Sequence, residues 1–236
     1  MAAGDSLPAK TAQQMAIDGD HPPSKYIINP KFGPLETTPP FAPAVNHGLS
    51  DSYLDKVRQV IKRFFELPFE EKRKYSRETG SVEGYGSDTT ISENQVQDWC
   101  DRLSLRMFPE DQRKFRSGIT LLLQDPGVEG LQVLNDGKWY MVPVIRDALF
   151  INLGDQMQIM SNGILKSPFH RVVTNKGKGR ISVAMFTEPD PNKEIGPVDA
   201  LVDEKRARVY KTVKNYGIFN YECFQKGIIA LDAVKL

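Results

Sequence analysis

Three side chains in the C-terminal half of this sequence have the types and spacing to do chemistry. Arg180 and Ser182 lie in the run RISVAMF, where Arg180, Ser182 and Ala184 alternate with Ile181, Val183 and Met185. An alternation of period two predicts a strand, and residues two apart on a strand share a face. A guanidinium and a hydroxyl on one face form a clamp for a carboxylate. The first gives a bidentate ion pair, and the second adds one more donor. His170 lies ten residues earlier in the strand-like run FHRVV. It is expected on a neighbouring strand, where its imidazole could ligate a metal beside that carboxylate.

The surrounding pattern predicts the elements that must hold these groups. ALFINLGD reads as a buried strand ending in a turn, and QMQIMSNGIL turns at Asn162-Gly163. SGITLLLQD, GLQVL and KWYMVPV read as strands, the last two joined by a hairpin at Asn135-Asp136-Gly137-Lys138. Asp125 and Asp136 are explained by turn chemistry. Asp155 ends a strand. Residues 50–66 read as a helix capped by Ser50, Asp51 or Ser52. Its apolar face carries Leu54, Val57, Ile61, Phe64 and Phe65, and Lys56, Arg58, Lys62 and Arg63 are solvated. Pro68 starts a short helix with acids early and bases late. EKRARVYKTVKNY reads as a helix with Val209, Val213 and Tyr216 on one face. Residues 1–49 are punctuated by proline, with a short helix expected around Lys10–Ile17.

Composition bounds the function. The chain has 236 residues, 40% hydrophobic and 26% charged, as in a soluble globular domain. A net charge of +1 implies no strong attraction to nucleic acid or an anionic membrane. Two cysteines, Cys100 and Cys223, exclude a disulfide framework or a cysteine metal site. No apolar run is long enough to span a bilayer, and no secretory leader is read at the N-terminus. A cytoplasmic monomer is expected.

The order His170, then Arg180-x-Ser182, within NLGDQMQIMSNG…SPFHRVV…RISVAMFTEPD, resembles the plant Fe(II)- and 2-oxoglutarate-dependent dioxygenases. The resemblance is strongest to the branch of codeine O-demethylase-like, norcoclaurine-synthase-like and lateral-branching-oxidoreductase-like proteins. It extends through FFELPFEEKRKYSRE, YGSDTTISENQVQDWCDRL, SGITLLLQD and the tail, over most of residues 10–236. It implies a mainly β fold with flanking helices, a double-stranded β-helix or jelly roll. The divisions expected are 1–115 as a shortened N-terminal cap, 116–190 as the surviving core, and 191–236 as C-terminal helix and tail. The implied cofactors are Fe(II), 2-oxoglutarate and ascorbate. The implied partner is a small organic substrate of plant specialised metabolism, hydroxylated or O-demethylated. By carry-over His170 is an iron ligand, and Arg180 and Ser182 bind the far carboxylate of 2-oxoglutarate. Tyr85 and Trp99 are packing aromatics that, by analogy, could touch substrate.

The resemblance also implies something missing. The family's iron triad is two histidines and a carboxylate, and the first pair comes as His-x-Asp just before the strand SGITLLLQD. Here that place is taken by Asp111, Gln112, Arg113, Lys114, Phe115 and Arg116. The histidines are His21, His47 and His170, and none begins a His-x-Asp or His-x-Glu. Internal deletions are therefore expected at Phe115/Arg116 and near Thr37–Pro43, leaving the jelly roll incomplete. Three outcomes follow: an oxygenase by family with impaired activity, a rewired one using His47, Asp125 or Asp155, or a non-catalytic binding or regulatory form of the same fold. His47 itself reads as a turn histidine.

Overall fold

The computed structural model describes residues 35–36, 43–78, 81, 83–87, 98–107, 118–175, 177–190 and 192–236. The helix expected around Lys10–Ile17, His21 and both expected deletion junctions, Pro43 excepted, lie outside these residues. The described residues fall into two compact units, one from Leu67–Met107 and the other from Lys31–Glu66 with Phe108–Leu236.

In the first unit, α2 (Phe69–Arg73) follows Pro68, with Glu70 and Glu71 in its first turn. Strands β2 (Gly84–Gly86) and β3 (Arg102–Ser104) pair antiparallel, Tyr85 opposite Leu103. Tyr85 is buried, and the Lys72 ammonium lies 5.7 Å from its ring centroid. Burial holds the Lys72 amine below its ordinary pKa, opposed by the Asp101 carboxylate.

The second unit carries the two sheets of interest. One has the order β1-β6-β5-β8, built from Leu35–Glu36, Lys138–Met141, Leu131–Asn135 and His170–Val172. The other has the order β7-β4-β9, built from Phe150–Leu153, Ile119–Leu123 and Val183–Thr187. Leu122 and Phe150 of the second sheet and Leu131 and Val133 of the first join Val142 in one core cluster. The two sheets therefore face one another across that core. The β5–β6 hairpin closes where Asp136 and Gly137 both have positive φ, 47° and 75°, the turn whose twist suits a two-residue loop. The strand Phe150–Leu153 is less buried than its sequence suggests: Ile151 points outward at 45% exposure.

Helix α1 (Asp51–Glu66) forms as the sequence predicts, with the Tyr53 amide donating to Ser50 Oγ at 3.3 Å. Leu54 alone of its apolar stripe is fully buried. Arg58, expected on the solvated face, instead turns inward. Its Nη1 donates to Asp55 at 2.8 Å and its Nε to the Gln124 carbonyl at 3.2 Å. A guanidinium can satisfy several carbonyls at once, which a charge-counting view of a helix face overlooks.

The tail differs most from expectation. Residues 204–215 form no helix. After a turn at Asp203–Arg206 the chain runs extended into β11 (Val213–Lys214), which pairs with β10 (Glu194–Ile195). Helix α4 (Tyr216–Gln225) starts where the expected helix would end, and α5 (Ala230–Ala233) follows. Of the expected face, Val213 and Tyr216 pack and Val209 is exposed, while Tyr210, off that face, is buried. Tyr210 joins Ile195, Tyr216, Cys223, Ala230, Leu231 and Val234 around Ile159 of α3 (Asp155–Met160).

Tyr216 also donates its hydroxyl to Asp155 Oδ2 at 2.8 Å. Burial, and then the Asp155 charge, push its phenol well above the ordinary 10.0. A group whose folded-state pKa is raised gives stability that is full below the unfolded pKa and is lost as pH climbs past it. The Tyr216→Phe protein should therefore lose less stability than the parent between about pH 9 and about pH 11. Urea midpoints at the two pH values measure this, and equal losses would refute it.

Candidate functional site

Arg180 and Ser182 lie just before β9, which begins at Val183 and not at Arg180. The structure brings the two together all the same: Arg180 Nη1 donates to Ser182 Oγ at 3.2 Å. Arg180 Nη2 donates to Gln124 Oε1 at 3.4 Å. Arg180 Nε is buried and has no hydrogen-bond partner. The guanidinium lies against Gly130, where an added Cβ would come within 3.1 Å of Arg180 Cδ and 2.9 Å of the Val173 carbonyl oxygen. The missing side chain at residue 130 is thus what lets Arg180 lie down. Burial lowers the guanidinium pKa, and the Asp125 carboxylate opposes the shift. The arrangement offers a desolvated cation with further Nη–H donors and a hydroxyl, the donor set that takes a carboxylate.

His170 is not on a neighbouring strand of the same sheet. It opens β8, paired to β5, whereas β9 pairs with β4 in the other sheet. It is opposite Val133, and opposite residues of a pair share a face, so its imidazole is on the core side. It is nonetheless exposed, because β8 is the edge of that sheet among the described residues, and its Nδ1 lies 3.4 Å from the Pro168 carbonyl.

The other candidates are occupied by structural bonds. His47 Nδ1 accepts from the Leu49 amide at 3.2 Å, so its Nε2 carries the proton and donates to the Asp147 carbonyl at 3.0 Å. It is a turn histidine, as read. Asp125 accepts from the Gly127 and Ile181 amides. Asp136 sits in the hairpin turn, accepting from Asn135 Nδ2. Asp155 opens α3 and accepts from Tyr216 and Asn220. Tyr85 is a packing aromatic of the other unit, and Trp99 is half-buried there.

Sequence reasoning missed Gln124 and Asn152. Gln124, buried at 6% exposure, follows β4 and meets the guanidinium. Asn152, also buried, is opposite Thr120 on the face shared by Leu122 and Phe150, and its Oδ1 has no partner. Both amides sit among apolar strand residues, the signal that could have singled them out.

Iron is a different matter. Among the described residues no three histidine, cysteine, aspartate or glutamate side chains come together to hold a metal. One exposed imidazole does not fit a facial triad.

Two family models match the chain. The non-haem dioxygenase in morphine synthesis N-terminal model covers residues 40–122, and the 2OG-Fe(II) oxygenase superfamily model covers residues 100–189. This chain belongs to the 2OG-Fe(II) oxygenase superfamily. Jasmonate-induced oxygenase 4 of Arabidopsis thaliana is 29% identical over 253 residues, covering 74% of this chain and 72% of the relative. Thebaine 6-O-demethylase of Papaver somniferum is 28% identical over 278 residues, covering 83% and 76%. Both alignments are longer than the 236-residue chain while using only part of it, so these oxygenases carry internal residues that have no counterpart here. The crystal structure of JOX2 in complex with 2OG, Fe and JA has a TM-score of 0.85 at 22% identity, covering 98% of each chain. That likeness establishes the oxygenase jelly roll as the fold. No helix among the described residues is long and apolar enough to cross a membrane.

Proposed function

We propose that this oxygenase-family chain recognises 2-oxoglutarate through Arg180 and Ser182, and that its oxidation chemistry is impaired because two of the three iron ligands have no counterpart. The carrying observation is the segment before β4, where the 236 residues contain no His-x-Asp or His-x-Glu. Arg180 would pair with the far carboxylate of the keto acid, and Ser182 would donate to it. The core residues Leu122 and Leu131 supply an apolar wall on the interior face. His170, on that same face, corresponds to the remaining ligand. A full triad would hold an iron that supplies oxidation chemistry, and the described residues of this chain do not make one. The names of the relatives, an oxygenase and an O-demethylase, support oxidation or O-demethylation of a small plant metabolite as the reaction of an intact site. The retained clamp also favours a non-catalytic role, in which the chain binds the dicarboxylate without turning it over.

The test is an anaerobic titration of the folded chain with Fe(II) and 2-oxoglutarate, followed by a succinate assay in air. The expected result is no visible charge-transfer band and no succinate, with 2-oxoglutarate binding detected calorimetrically in the absence of metal. A saturable band at one iron per chain would overturn the impairment. Absence of any 2-oxoglutarate binding would overturn the clamp.

A further inference from the structure

We infer that Gln124 is a positioning residue for the carboxylate clamp, and that it has to be a neutral acceptor. The inference rests on the reading of Arg180 as the 2-oxoglutarate anchor. Gln124 immediately follows β4, which ends at Leu123, and it is buried at 6% exposure. Its amide orientation follows from its two partners. The Pro143 carbonyl can only accept, so the group 3.4 Å from it is the Nε2 donor. The guanidinium can only donate, so Oε1 faces Arg180 Nη2 at 3.4 Å. The side chain therefore spans from the β6–β7 connection to the guanidinium and can turn neither way without losing a bond.

The consequence for Arg180 is geometric. Ser182 holds Nη1, Gln124 holds Nη2, and Gly130 leaves room for the stem. With both Nη nitrogens engaged, the guanidinium plane is fixed, and each Nη keeps a second N–H for a ligand. A long side chain that is already locked loses less freedom on binding a ligand. The neutrality of Gln124 matters because the cation already feels the Asp125 carboxylate, and its further neighbour Arg58 is engaged with the Gln124 backbone carbonyl. A second carboxylate at residue 124 would pair with Arg180 and compete with the ligand for its charge.

The discriminating variant is Gln124→Glu, nearly isosteric with the parent, in the full metal-free chain. Calorimetry with 2-oxoglutarate is expected to show binding weakened about tenfold or more, with a melting temperature lowered no further than the lost Pro143 bond requires. A merely structural glutamine would give the opposite split, with affinity kept. Affinity within about twofold of the parent would overturn the inference. Arg180→Met, run beside it, separates the two ideas. If Arg180→Met loses binding and Gln124→Glu does not, the clamp stands and Gln124 has no positioning role. If Arg180→Met keeps parental affinity, the clamp itself is wrong, and this inference goes with it. Should Gln124→Glu fail to fold, Gln124→Met takes its place. It keeps the length and loses the acceptor, so the same weakening is expected, and unchanged affinity overturns the inference.

Discussion

Replacing Arg180 with methionine should abolish saturable 2-oxoglutarate binding, an affinity loss of about a hundredfold or more. A bidentate guanidinium–carboxylate pair makes two charge-assisted bonds, each contributing about 1.5–3 kcal/mol. The loss is compounded because a carboxylate entering this half-buried place would find no cation, and an uncompensated buried charge is strongly unfavourable. Two such bonds alone reach the hundredfold mark, since about 1.4 kcal/mol is a factor of ten. The fold should suffer far less. Arg180 is already desolvated, and burial works against its charge. Methionine fills much of the same volume and relieves that cost, while Ser182 and Gln124 each lose a donor. Arg180→Lys should fall between the parent and Arg180→Met, because it keeps the charge and loses the fork. Calorimetry and a thermal melt on the three proteins measure both quantities. Parental affinity in Arg180→Met would remove 2-oxoglutarate from this site.

The pattern of what the sequence foretold follows from the range of the forces involved. Local signals were legible. Asp136-Gly137 and Asn162-Gly163 each put two consecutive residues at positive φ, and Ser50 caps α1. The Arg180–Ser182 contact was legible for the same reason, since it depends only on a two-residue spacing in extended chain. Long-range placement was not. His170 and Arg180 were expected side by side, but a jelly roll sends successive strands to opposite sheets, so β8 and β9 face rather than flank each other. Gln124 went unnoticed because its partners, Pro143 and Arg180, lie 19 and 56 residues away. In the tail, a 3.6-residue stripe through Val209 and Val213 mimicked a helix. Extended pairing won there because it buries Tyr210 and lets Val209 and Lys211 bond to the chain end, through the Leu236 amide and the Val234 carbonyl.

That buried tyrosine carries the second large effect, this time on stability. Tyr210→Ala should cost about 3–5 kcal/mol for the lost aromatic ring. A further loss of about 1–3 kcal/mol is expected because Gln158 Nε2, which donates to the Tyr210 hydroxyl at 2.6 Å, would be stranded. Gln158 cannot turn away to recover, since its Oε1 accepts from the Ser167 amide at 2.6 Å. Against a typical domain stability of about 5–15 kcal/mol, this removes much of what holds the tail to α3. Tyr210→Phe isolates the hydroxyl and should cost only the second, smaller amount. Denaturant midpoints give both values, and amide exchange should show α4 and α5 losing protection first. The coupling to the site is through α3, which directly follows β7 and holds Ile159 in the tail's core cluster while Asp155 binds Tyr216. Tyr210→Phe should leave 2-oxoglutarate affinity at the parental value, because the Arg180 end of the core has its own contacts through Gly130 and Gln124. A large affinity loss in Tyr210→Phe would mean that the tail sets the geometry of the clamp, and the separation of anchoring tail from binding core would have to be given up.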